Sequence, residues 1–107
     1  MKQESQFILS HDPVYLGIDV GTSSVKAGFV SQSGEGLLQA SSEYPTYYGP
    51  GGQVEQEPWD WWNAVVQAVQ SLTTRSPQLA KQVRSLAVSC QAPTLLGIDS
   101  DGAPVGR

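Results

Sequence analysis

The sequence predicts an α/β fold: a mixed sheet that begins as an antiparallel three-stranded meander, an amphipathic helix packed on it, a parallel strand, and the start of a hairpin. Three observations predict it. Val14, Leu16, Ile18 and Val20, then Val25, Ala27 and Phe29, alternate with polar or small residues, the period of a pleated ribbon. Trp59, Trp62, Val65, Val66, Val69 and Leu72 recur at spacings of three or four, one face of a helix. Leu86-Ala87-Val88-Ser89-Cys90 is a short, nearly continuous apolar run, as in a strand covered on both faces.

In chain order, residues 1–13 read as a disordered or loosely attached leader ending at His11-Asp12-Pro13, and residues 14–107 as one truncated domain. Two strands joined by Gly21-Thr22-Ser23 form a hairpin. Ser31-Gln32-Ser33-Gly34-Glu35-Gly36 is a turn-rich link to a third strand over residues 36–44. Residues 45–57, rich in Pro, Gly and Tyr, read as a loop crossing the sheet, with Tyr47 and Tyr48 covering the edge of the core rather than facing a ligand.

Pro58 suits the first helical position, where its missing N–H would lack a partner, and Glu55, Glu57 and Asp60 place negative charge near the positive end of the helix. The helix should fade at Thr73-Thr74-Arg75, with a short second turn from Ser76-Pro77 to about Gln82. The periodicity assigns the tryptophans to the core. After the apolar strand, Gln91-Ala92-Pro93 interrupts; residues 94–98 form another strand, Asp99-Ser100-Asp101-Gly102 a turn, and residues 103–107 the returning strand. Leu16-Gly17-Ile18-Asp19 recurs as Leu96-Gly97-Ile98-Asp99, but Ser-Asp-Gly-Ala follows the second copy where Gly-Thr-Ser-Ser follows the first, so the repeat is not a second copy of the hairpin tip. A calcium loop at Asp99 would need a preceding helix and later ligands.

Composition narrows the function. The net charge of −4 and the lack of a basic run argue against nucleic acid and acidic membrane surfaces as partners. The hydrophobic share of 39% argues against disorder throughout. A single cysteine, Cys90, allows no intramolecular disulfide and reads as a small buried residue; His11, the one histidine, reads as a loop residue without partners for a metal site or triad. No signal-like apolar segment stands at the start, and a reducing, cytoplasmic setting is expected. Unpaired sheet edges would allow a homo-oligomer.

The chemistry concentrates at the first hairpin tip. Gly21 lets an anion approach the backbone, and Thr22, Ser23 and Ser24 add hydroxyls beside successive N–H groups, the makings of a concave anion site. A carboxylate at Asp19 would repel a phosphate unless a divalent cation lay between them, and Mg²⁺ takes one or two carboxylates beside water and phosphate oxygens. Lys26 shares the face of Ser24 and could lend positive charge. A plain Ser/Thr-rich turn would account for the composition equally well; the order of parts, strand, Asp, Gly, three hydroxyl residues, strand and Lys, favours the phosphate site.

Asp19-Val20-Gly21-Thr22-Ser23-Ser24-Val25-Lys26 resembles the first phosphate-binding loop of the FGGY carbohydrate kinases, whose fold is the ribonuclease H-like, actin-like ATPase fold. Gly51-Gly52-Gln53-Val54-Glu55-Gln56-Glu57-Pro58-Trp59-Asp60-Trp61-Trp62 is similar to the segment leading into that family's first helix. Leu86-Ala87-Val88-Ser89-Cys90-Gln91, followed by Leu95-Leu96-Gly97-Ile98-Asp99, resembles its sugar-pocket strand and the next hairpin. Together the matches run from about residue 15 to 107.

The resemblance implies an N-terminal portion, xylulokinase-like, of an enzyme that moves the ATP γ-phosphoryl group to a sugar or polyol. Asp19 would position Mg²⁺ through water. Gly21, Thr22, Ser23 and Ser24, with Lys26 nearby, would hold the phosphates of ATP, and Gln91 would contact the sugar. The catalytic base would lie beyond residue 107, leaving the chain alone inactive. Ala92-Pro93-Thr94 departs from the family pattern after its glutamine, and neither Ala92 nor Pro93 offers a side-chain hydrogen bond, so the resemblance carries no particular sugar. The rival reading is a non-catalytic nucleotide- or sugar-binding remnant, or an unrelated β-rich interaction module.

Overall fold

A computed structural model describes residues 12–107. Most of the leader expected over residues 1–13, His11 included, lies outside the described residues. Strands β1 (Val14–Val20), β2 (Ser24–Ser31) and β3 (Gly36–Glu43) form the meander. They are followed by a two-stranded ribbon, β4 (Tyr47–Tyr48) and β5 (Val54–Glu55), bridged by a 3₁₀ turn at Pro50–Gly52. Helices α1 (Pro58–Arg75) and α2 (Pro77–Lys81) lead into β6 (Val83–Cys90).

The main sheet has the order β3-β2-β1-β6, with β1 antiparallel to β2 and parallel to β6. The alternation read in the sequence sets its faces. Val14, Leu16, Ile18, Val25, Ala27 and Phe29 are buried together with Leu37, Ala64, Ala68, Leu72 and Leu79. Asp19, Lys26 and Gly28 stand on the opposite face, over which no helix packs among the described residues. Helix α1 starts where expected: Pro58 is the first helical residue, and the Glu57 carboxylate accepts from the Trp59 N–H at 3.4 Å. Its last turn is tied to the sheet by Arg75, whose guanidinium donates to the Gln39 carbonyl at 2.7 Å. Ser76 caps α2 by accepting from the Leu79 N–H at 3.3 Å.

Four expectations are corrected. The helix face on the core is Ala64, Ala68 and Leu72, flanked by Trp61, Val65 and Val69, whereas Trp59 and Trp62 are exposed, Trp62 at 60%. The apolar residues of α1 fill more than one stripe, and the stripe with alanines lets the helix axis come close to the sheet, so small side chains win over large ones. Residues 86–90 are not covered on both faces: β6 is an edge strand, Leu86 and Val88 are exposed, and so is Cys90. Helix α1 lies over β2 and β3 and barely reaches β1, which leaves β6 without a helical cover. Residues 94–98 and 103–107 form no strands; the expected turn closes instead through one bridge between Ile98 and Pro104. Tyr47 and Tyr48 do not seal the core. Both are exposed on β4, Tyr47 with its hydroxyl 3.4 Å from an Asp60 oxygen and its ring 4.1 Å beneath the Arg107 guanidinium.

Candidate functional site

The tip between β1 and β2 is built by the register. Val20 opposite Val25 is the last pair, and the Gly21 N–H donates to the Ser24 carbonyl at 2.9 Å, closing a loop of Thr22 and Ser23. A Cβ on residue 21 would lie 3.1 Å from that same carbonyl, so this tight closure favours glycine. Thr22 and Ser23 are exposed and Ser24 is half-buried. The loop is held from below by Tyr44, at the end of β3. Its N–H donates to the Ser23 carbonyl at 3.1 Å, and its buried phenol donates to the Gly21 carbonyl, with the Ser24 carbonyl 3.4 Å away. Burial pushes the Tyr44 phenol above its ordinary value of 10.0, and the negative Asp19 acts in the same direction.

Gln91 arrives beside this tip because β6 runs parallel to β1. Cys90 is opposite Val20, and the Gln91 N–H donates to the Val20 carbonyl at 2.8 Å. The side chains meet through Gln56, in the link between β5 and α1. Its Nε2 donates to the Thr22 carbonyl at 2.7 Å and to Thr46 Oγ1 at 2.9 Å. Its Oε1 accepts from Trp61 Nε1 at 3.0 Å and from Gln91 Nε2 at 2.8 Å. The result is a groove of about 580 Å³ lined by Thr22, Ser23, Thr46, Tyr48, Glu55, Gln56, Gln91 and Arg107, among others.

Asp19 and Lys26 belong to a different groove. They are cross-strand partners and line a depression of about 640 Å³ over the uncovered sheet face, with Gly17, Gly28, Ser41 and Ser89. Ser89, opposite Asp19 in the parallel register, donates its hydroxyl to Asp19 Oδ1 at 2.9 Å and so fixes the carboxylate. Of the residues read from the sequence as a site, Thr22, Ser23 and Gln91 therefore share one groove, Asp19 and Lys26 share another, and Gly21 and Ser24 form the loop between their strands. Tyr44, Gln56 and Ser89 were not among them. Gln56 lies in the segment that leads into α1, with no local feature that gives it a role, and Ser89 sits in an apolar strand, where its polarity is the available signal. Nothing local marks Tyr44, whose role depends on where β3 ends.

A sheet of order β3-β2-β1-β6, with a loop at the tip of its first hairpin and a polar residue leaving the adjacent parallel strand, defines the opening of an actin-like ATPase fold. The comparisons with known proteins agree. The model of the FGGY family of carbohydrate kinases, N-terminal domain, matches residues 14–107. The chain is 35% identical over 86 residues to a xylulose kinase of Bacillus subtilis, covering 80% of this chain and 17% of that protein. It is 30% identical over 90 residues to a gluconokinase of the same organism, covering 84% of this chain and 17% of that protein. Among solved structures, a xyloylose kinase from Brucella ovis superposes with a TM-score of 0.82 at 26% identity, over 85% of this chain and 19% of that one. This chain belongs to the FGGY family of carbohydrate kinases, and it spans less than a fifth of the length of these relatives.

Proposed function

We propose that the protein carrying this chain transfers the ATP γ-phosphoryl group to a hydroxyl of a sugar or polyol, and that this chain supplies the first phosphate loop and one wall of the sugar pocket. The observation that carries the reading is the groove in which the exposed Thr22–Ser23 tip and the Gln91 amide stand together, joined by Gln56. Phosphoryl transfer is largely a matter of positioning and charge neutralisation. The Thr22, Ser23 and Ser24 hydroxyls and the N–H groups of the tip would hold phosphate oxygens. Gln91 has one Nε2 hydrogen committed to Gln56, which leaves its second hydrogen and its Oε1 for a sugar hydroxyl.

The donor set suits Mg²⁺. No cluster of three or more His, Cys, Asp or Glu side chains gathers among the described residues, and Mg²⁺ takes one or two carboxylates with water and phosphate for the rest. Asp19, oriented by Ser89 in the groove on the open sheet face, would hold such an ion through water, and the ion would supply charge neutralisation to phosphate oxygens reaching that side of the tip. Lys26, on the same face, would add positive charge. Xylulose and gluconate, the sugars named in the relatives' descriptions, head the candidate acceptors. A reducing, cytoplasmic setting belongs to the same reading, supported by the single thiol, Cys90.

The test is ATP-dependent phosphorylation of a panel of sugars and polyols by the full-length protein, repeated with Gln91→Ala. The substitution should lower kcat/KM for the sugar by about five- to two-hundred-fold, corresponding to ~1–3 kcal/mol for a lost buried polar partner, with ATP affinity in the absence of sugar barely changed. No sugar-dependent ATP turnover by the wild-type protein would overturn the reading. A fall in ATP affinity and melting temperature with the sugar KM unchanged would make Gln91 structural.

A further inference from the structure

The amide of Gln56 is saturated. A primary amide offers two N–H donors and two carbonyl lone pairs, and all four are used: Thr22 O and Thr46 Oγ1 accept, Trp61 Nε1 and Gln91 Nε2 donate. The arrangement has one sense only. Turning the amide over would set its oxygen against the Thr22 carbonyl and its nitrogen against two other N–H donors. The side chain is half-buried; its bonds to Thr46, Trp61 and Gln91 are partly shielded from water, and the bond to Thr22 is exposed. One residue outside both substrate-facing elements thus holds the backbone of the phosphate-loop tip with one end and the orientation of the Gln91 amide with the other.

Resting on the function proposed above, we infer that Gln56 is a positioning residue that registers the sugar-facing amide of Gln91 against the nucleotide-facing tip at Thr22. Transfer between two bound substrates depends on holding the reacting atoms in register, and a misplacement of about 1 Å can cost on the order of 10²-fold in rate. Gln56 sets that register through its own four bonds, with no amide donor or lone pair left over for a substrate. By fixing one Nε2 hydrogen of Gln91 toward itself, it also turns the Oε1 of Gln91 away from Gln56, leaving that oxygen and the second Nε2 hydrogen for a ligand hydroxyl.

The experiment is a double-mutant cycle in the full-length protein, reading sugar kcat/KM, ATP affinity without sugar, and melting temperature. Gln56→Leu removes all four bonds and should lower sugar kcat/KM on the order of 10²-fold, with ATP affinity held within a few-fold. Because Gln56 acts through Gln91, adding Gln91→Ala to Gln56→Leu should lower sugar kcat/KM far less than Gln91→Ala does in the wild type. Gln56→Glu keeps an oxygen toward Trp61 and Gln91 but sets its other, charged oxygen against the Thr22 carbonyl, so it too should lower sugar kcat/KM; if Gln56→Leu does not fold, the same cycle is run on Gln56→Glu. Losses that multiply across the cycle, or wild-type sugar kcat/KM in the Gln56 variant, overturn the inference while leaving the kinase reading intact. An inactive wild type sinks the kinase reading itself. A loss that follows melting temperature and vanishes on cooling makes Gln56 a structural brace only.

Discussion

The same four residues, Leu-Gly-Ile-Asp, occur at 16–19 and at 96–99 and do opposite things. In β1, Leu16 and Ile18 are each 8% exposed, within the core, while Asp19 points to the open face and receives the Ser89 hydroxyl. In the second copy Leu96 is 41% and Ile98 60% exposed, and the carboxylate of Asp99 turns back on its own backbone, accepting from the Asp101 and Ala103 N–H groups at 2.9 Å each. The tetrapeptide is equally ready for a strand in both places. What differs is the neighbour. The first copy has β2 on one side and β6 on the other, whereas the second is followed by Ser-Asp-Gly, which closes a turn before any ladder can form. Short sequence specifies what a segment can become, and partners decide what it is.

The largest expected consequence is in stability. Leu16→Ala removes a side chain packed in the core and should cost about 2–5 kcal/mol, the usual range for a buried leucine. Leu96→Ala removes a side chain already half in water and should stay within roughly 1 kcal/mol. Urea denaturation of the chain, followed by tryptophan fluorescence and circular dichroism, measures both. Comparable shifts in midpoint would mean that the second copy is packed as firmly as the first.

The two aspartates sharpen the contrast in function. If Asp19 orients a water-bound metal, Asp19→Asn in the full-length protein should lower turnover with Mg-ATP by about 10–100-fold, as for groups just outside a metal's ligand shell, with little change in melting temperature. Asp99→Ala should do the reverse. It deprives two turn N–H groups of their acceptor and should cost ~0.5–1.5 kcal/mol of stability, with turnover close to wild type. Turnover that survives Asp19→Asn would reduce that carboxylate to a structural partner of Ser89.

The comparison also explains what could be read from sequence. The meander, the start and end of α1, the short helix after Ser76 and the turn at Asp99 depend on alternation, proline position and turn chemistry, all of them local. The face of α1 was misread because large apolar side chains outweigh alanine in any periodicity count, whereas helix-to-sheet distance rewards Ala64 and Ala68. The burial of residues 86–90 was misread because an apolar run reports what a strand would prefer to have on its faces, and the cover is supplied from elsewhere. At the site, Thr22, Ser23 and Gln91 were legible as residue types at the ends of strands. Their connection was not, since Tyr44 and Gln56 reach the tip across 23 and 34 residues of chain.

Tyr44 supports the tip that follows the first copy from outside it, and among the described residues no side chain of another element hydrogen-bonds the second copy, so the smallest predicted effect tests the distinction at its most local. Tyr44→Phe keeps the ring in the core and deletes only the hydroxyl that serves the Gly21 carbonyl; it should cost about 1 kcal/mol at neutral pH. The pH dependence identifies the cause. Burial, then the charge of Asp19, raises the phenol above 10.0 in the folded state. Below pH 10 the hydroxyl is protonated whether the chain is folded or not, and its contribution is fully present. As the pH climbs beyond 10 the unfolded chain releases this proton first, the folded chain holds more protons than the unfolded one, and stability falls until the folded phenol also ionises. The phenylalanine variant has no such proton. The gap between the two urea midpoints should therefore be constant from pH 7 to about 9.5 and shrink above 10, where the wild type loses its advantage. Tyr44→Phe changes no other ionisable group, so the difference between the two proteins reports this phenol alone. A gap that stays constant into that range would show that the hydroxyl is not held protonated beneath the loop, and that the tip is fixed by its backbone bonds alone.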